Sequence, residues 1–177
     1  MADGNHSLAK IFDGWDGYNA SIVHAVEPLT PEQLAWRPAP HLRSAGEIAS
    51  HLAFGRVDWF SKMPAPLSLD LLAQVPPPEE RARAATEKDV ILHWLKESWA
   101  MIDATLNAWT VEDLRRVYRH EYWGRTYAVS YQWTLWRILT HDVHHGGELA
   151  LVLGMQHLEV PELGDLFGHL TTPPFAE

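Results

Sequence analysis

The sequence predicts an all-α protein, a four-helix bundle with a long crossover between its second and third helices. Three observations carry that expectation. Four stretches of roughly twenty residues place apolar side chains at the three-and-four spacing of an amphipathic helix. Residues 64–85, between the second stretch and the third, hold five prolines and cannot continue a helix. Strand-like alternation is confined to one short segment around Gly124.

Taken in order, apolar residues at Leu8, Ile11, Phe12, Trp15, Tyr18, Ile22, Val26 and Leu29 mark a first helix from Ser7 to about Leu29. Thr30-Pro31-Glu32-Gln33 then reads as a short capped turn, with Thr30 as N-cap, Pro31 at the first helical position and Gln33 closing the box. Ser44-Ala45-Gly46-Glu47 repeats that signal and opens the second long helix, which runs through Ile48, His51, Leu52, Phe54, Gly55, Trp59 and Phe60 to about Met63. The proline-rich run that includes Pro76-Pro77-Pro78 is the crossover, a length of connection that can join parallel neighbours. Thr86 is expected to cap the third long helix, through Val90, Ile91, Trp94, Leu95, Trp99, Ile102 and Leu106 to near Trp109. Tyr118 to Tyr127 reads as a hairpin-like excursion, placed to cover a site. Ser130 begins the fourth long helix, Tyr131 to Leu153, with Gly154 placed to end it as a left-handed cap. The tail, with Pro161, Pro173 and Pro174, is expected to drape over the bundle.

Composition bounds the function. A chain of 177 residues with 46% hydrophobic and 21% charged residues is expected to form a single domain spanning residues 1–177. A net charge of −9, with the basic residues scattered, argues against nucleic acid as a partner. No segment has the length of apolar residues needed to cross a bilayer, and Met1 to His6 lacks the blocks of a signal peptide, so the cytoplasm is the expected location. The absence of cysteine excludes disulfides, thiolate metal sites and a protein-borne thiol nucleophile. Nine tryptophans are expected mostly to fill the core, with a few free to line an apolar pocket.

The densest chemistry lies in His141-Asp142-Val143-His144-His145-Gly146-Gly147-Glu148. Residues four apart on a helix differ by about 40° in direction, so His141 and His145 stack one turn apart on one face. Such a pair offers two nitrogen ligands to a divalent metal, which then requires a third protein ligand from elsewhere. His144 lies about 60° off His141 in the opposite sense and is a substitute ligand. Glu148 falls about 20° from His141, as an acceptor for a ligand N–H or as a general base, and is the candidate catalytic residue. Asp142 points away from that stripe. His51 lies on the apolar side of the second helix, where a histidine reads either as hydrogen-bonded core or as a ligand. In a bundle, inward-facing side chains of adjacent helices converge on metal sites, and this makes His51 the candidate third ligand. Asp58, two turns beyond His51, competes with Glu148 for a place at the same cavity. His24 and His93 have the spacing of surface or boundary residues.

Three stretches together resemble the DinB-like superfamily of four-helix bundle proteins: Leu29-Thr30-Pro31-Glu32-Gln33-Leu34, Glu47-Ile48-Ala49-Ser50-His51-Leu52, and His141 through Leu149. The resemblance implies one divalent metal, zinc or nickel, held by His51, His141 and His145. It departs at Gly146-Gly147-Glu148, where the family tends to carry an arginine after its last ligand. Characterised members of the superfamily include transferases and isomerases that use low-molecular-weight thiols. The implied function is therefore a metal-dependent thiol S-transferase acting on a small molecule. A metal-dependent hydrolase and a non-catalytic metal-binding stress-response protein are the alternatives. Similar bundles often pair, so a homodimer is expected.

Overall fold

Gly14 interrupts the first expected helix. In the computed structural model, which describes residues 7–159, a single 3-10 turn at Leu8–Lys10 precedes Gly14 at φ 94°, and α1 begins only at Trp15 and runs to Val26. A left-handed residue cannot continue a right-handed helix, and glycine adopts that conformation without a Cβ clash. The tail expected to drape over the bundle lies outside the described residues.

Both capping boxes form as the sequence indicates. Thr30 and Gln33 cap α2, Pro31–Ala35, reciprocally, and Ser44 and Glu47 do the same for α3, Ala45–Phe60. The crossover carries two short helices, α4 at Ser68–Gln74 and α5 at Pro78–Ala84. The last proline of the triple run sits at the first position of α5, where its missing N–H costs no helical hydrogen bond. Thr86 does not cap the third long helix. Its hydroxyl donates to the Arg83 carbonyl, so α6, Lys88–Ala108, starts two residues later with Glu87 at its N-cap.

Strands β1, Val117–Tyr122, and β2, Arg125–Ser130, form an antiparallel hairpin in which Tyr122 pairs with Arg125. Trp123 and Gly124 turn the chain, both at positive φ, as a two-residue hairpin turn requires. The last long helix, α7, spans Tyr131–Met155, with the Ser130 hydroxyl accepting from the Trp133 amide. Gly154 does not end it. The helix runs one residue further and His157, at φ 59°, takes the left-handed position instead.

Helices α1, α3, α6 and α7 make the bundle: α3 packs on both α6 and α7, and α1 touches all three. Ile22, Leu52, Val57, Phe60, Leu95, Ile102, Leu135 and Ile138 are fully buried between them, each worth roughly 1.5–3 kcal/mol in water-to-core transfer. The tryptophans depart from expectation. Among the nine, Trp15, Trp94 and Trp109 are buried, whereas Trp123, Trp133 and Trp136 are exposed by 87%, 46% and 62%. Those on α7 and the hairpin serve surfaces and a cavity rather than the core.

Candidate metal centre

Antiparallel packing of α3 on α7 brings His51 to His141 and His145. Their imidazole rings lie 4.4–4.9 Å apart centroid to centroid, and one nitrogen from each falls within 4.8 Å of the others. The Nε2 atoms of His51 and His141 face each other at 3.1 Å. Two nitrogens on one tetrahedral metal, each about 2.0–2.1 Å from it, are separated by roughly 3.4 Å, so this pair has close to the required spacing.

Gly55 makes the approach possible. An added Cβ there would lie 2.9 Å from Cε1 and 3.3 Å from Nε2 of His141, so the ring occupies the space a larger residue would fill. Gly146, next to His145, makes room for Tyr18 rather than for an imidazole: a Cβ there would overlap the Tyr18 hydroxyl, which donates to the Val143 carbonyl at 3.1 Å.

Glu148 fixes one ligand's tautomer. Its Oε2 lies 2.6 Å from His145 Nδ1, so Nδ1 carries the proton and donates, leaving the Nε2 lone pair for a metal. Burial raises the carboxyl of Glu148, but the bond to His145 and the neighbouring His145, His144 and Arg43 charges outweigh it and hold the group below its usual range. Glu148 is therefore a carboxylate at neutral pH. Burial also depresses His145, more than the Glu148 bond raises it. His51 is pushed down to about 4, by burial first and then by Arg43 and the other two imidazoles. His51 and His145 are thus neutral at pH 7, as metal ligation requires.

The residues fit a divalent ion in one further respect. Nδ1 of His141 is buried without a hydrogen-bond partner, its nearest carboxylate being Asp142 Oδ1 at 3.9 Å. A ring held only by a weak contact at one nitrogen and by a second imidazole at the other has use for a cation between them. The donor set, three imidazoles and no carboxylate or thiolate, suits zinc, nickel, cobalt or copper.

His144 is exposed and stands apart from His51; it makes a second, outward group with His145 and Glu148, 3.4 Å from Glu148 Oε1. Asp58 does not reach the histidines, being held at the surface by Lys62 Nζ at 2.6 Å. His24 and His93 are exposed, as their spacing indicates.

Asp142 points away from the imidazole stripe, yet into the core. It is fully buried and accepts from Arg56 Nε and Nη2 at 2.8–3.1 Å and from Trp15 Nε1 at 2.9 Å. Arg56 is the largest fully buried side chain and also donates to Asn19 Oδ1 at 2.8 Å. Burial raises Asp142, but the guanidinium and its hydrogen bonds prevail and keep the carboxyl below its usual range. This network lies directly behind His141, and sequence reading missed it. The available signal was an arginine in the middle of an apolar helix stretch.

The hairpin, α3 and α7 line a cavity of about 510 Å³, whose walls include Trp59, Trp133 and Arg137 but none of the three clustered histidines; Trp59 follows Gly55, and Arg137 precedes His141, by one helical turn. The hairpin thus covers the stretch of α3 and α7 one turn from the candidate centre.

The model of the DinB superfamily matches residues 19–149. Among solved structures, the chain is similar to a DinB-like protein from Bacillus cereus ATCC 10987, at a TM-score of 0.68 and 19% identity over 88% of this chain and 97% of that one. It is also similar to the DinB-like protein YjoA from Bacillus subtilis, at a TM-score of 0.60 and 17% identity over 87% and 97%. No curated protein matches the sequence. The match runs from within α1 through most of α7 and includes all three clustered histidines, so the chain belongs to the DinB superfamily.

Proposed function

We propose that the chain is a metal-dependent enzyme of thiol S-transferase type, with His51, His141 and His145 holding one zinc or nickel ion. The observation that carries this reading is the convergence of three imidazoles, with His51 and His141 only partly buried and an aromatic cavity about one helical turn away along α3 and α7. A bound divalent ion supplies Lewis acidity, which favours the deprotonated form of a thiol or a water at neutral pH.

The side chains divide the remaining work. Glu148 is a positioning residue: a carboxylate below its usual pKa is a weak base but a strong acceptor, suited to orient His145. Asp142, anchored by Arg56 and Trp15, backs His141 from the core. The aromatic cavity receives the electrophile and keeps water from it. Because the chain has no cysteine, the sulfur must arrive as a low-molecular-weight thiol. A homodimer fits the exposed stripe of Trp136, Val143, Leu151 and Met155 on α7. Among the described residues no helix is long and apolar enough to cross a membrane, in keeping with a cytoplasmic location.

The same donor set would serve a hydrolase, with water in the thiol's place, or a metal-binding protein without turnover. Cobalt-loaded protein titrated with a small thiol separates the first reading from both. A thiolate-to-cobalt charge-transfer band that saturates with thiol supports the transferase. Its absence, in protein shown to hold cobalt, overturns the transferase.

A further inference from the structure

We infer that the hairpin cavity is a binding site for the apolar, anionic part of the substrate, a flat ring or chain ending in a carboxylate that pairs with Arg137. The cavity, about 510 Å³, is within the size of small-molecule sites. Its surfaces are aromatic: Trp59 lies 5.4 Å from Trp133 and 5.1 Å from His120, ring centre to ring centre, and Tyr122 and Tyr127 complete the hairpin side. Rings set at such angles leave faces and edges on which a flat apolar group can pack.

Arg137 is the one cation among the lining residues. Its guanidinium lies 4.9 Å above Trp59 and 5.6 Å from Trp133, and among the described residues it makes no ion pair. Stacking on indoles uses the face of a guanidinium and leaves its N–H edge free, which matches a carboxylate bidentately. The aromatic platform also restricts the side chain, so less rotamer freedom is lost on binding.

The cavity lies about one helical turn from the histidines. Arg137 precedes His141 by four residues, about 6 Å along α7, and Trp59 follows Gly55 by the same interval on α3. Gly55 itself lies against the His141 ring. A ligand seated on Trp59 and Trp133 would therefore lie about one helical turn from His141, and a longer one would reach toward the three imidazoles. This last step rests on the metal-enzyme reading; the carboxylate-binding cavity does not.

The test uses the full chain after chelator treatment, with 2-naphthoate and the uncharged 2-naphthamide titrated by calorimetry. The native protein is expected to bind 2-naphthoate at least about tenfold more tightly than the amide. Arg137→Gln should abolish that preference while leaving amide binding unchanged, and Trp133→Ala should weaken both ligands. His145→Ala should leave the preference intact, since Arg137 and not the histidines supplies it. Equal binding of the two probes, no binding of either, or a preference that survives in Arg137→Gln overturns the inference. Metal content, measured separately on untreated protein, reports on the metal-enzyme reading alone. Arg137 and Trp133 are exposed, and matching circular dichroism of the variants confirms that loss of binding is not loss of fold.

Discussion

Replacing Gly55 by alanine should move metal affinity and stability in opposite directions. The new Cβ would lie 2.9 Å from Cε1 of His141, whereas ordinary contact begins at 3.4 Å, so the ring must retreat by about 0.5 Å. The ring is the outer end of a side chain and can move, at little cost to the fold. A metal site is less tolerant, because bond lengths hold to within about 0.2 Å. Misplacing one of three ligands by more than that should lower zinc affinity about 10- to 100-fold, as disturbance of a ligand's support commonly does. In metal-free protein the same change removes a glycine from the interior of α3, which favours the fold by up to about 1 kcal/mol. Competition against a chromophoric chelator measures affinity, and urea unfolding in chelator measures stability. Gly147→Ala is the control: a Cβ there meets nothing within 4 Å, so it should share the stabilisation and bind zinc as the native chain does. Native affinity in Gly55→Ala would refute the argument that this glycine exists to admit the His141 ring.

Asp142→Asn should destabilise the fold by about 3–5 kcal/mol, because it leaves the Arg56 charge buried and unpaired; the double change Arg56→Met, Asp142→Leu should recover much of that loss in urea unfolding. Metal-free protein should lose stability as pH falls from 6.5 toward 4. His51 titrates near 4 when folded against 6.5 as its ordinary value, and the depressed His145 acts in the same direction, so the unfolded chain binds more protons in that window. His51→Gln should flatten the profile. Glu148→Gln, which keeps an acceptor but removes the charge from His145 Nδ1, should weaken zinc binding about tenfold with little change in fold. Trp136→Glu should shift the sedimentation coefficient from dimer to monomer if α7 supplies the pairing face.

What could be read from sequence follows from which forces are local. The boxes at Thr30 and Ser44 and the cap at Ser130 are set by side chains three residues from the groups they satisfy, and all three form. The His141 and His145 pair follows from helical period alone. Its meeting with His51 required the long α3–α7 pairing, which the bundle and the family resemblance supplied. Other features depend on contacts that no local pattern carries. Thr86 has a cap-like identity, yet its hydroxyl is taken by the turn that closes α5. Gly154 was available for a left-handed cap, but the helix continues to Met155 and His157 adopts the conformation. Asp142 looked like a residue simply facing off the ligand stripe; only the packing of α1 and α3 shows that Trp15 and Arg56 meet it in the core. Trp133 and Trp136 belong to the nine tryptophans expected mostly to fill the core, but α7 turns them toward the cavity and the outer face.

Metal content by mass spectrometry, on native protein purified without an affinity tag beside His51→Ala and His145→Ala, tests the central claim most directly. The account predicts about one divalent ion per native chain and none in either variant. A native chain without metal, or variants that retain it, would contradict a centre built across α3 and α7.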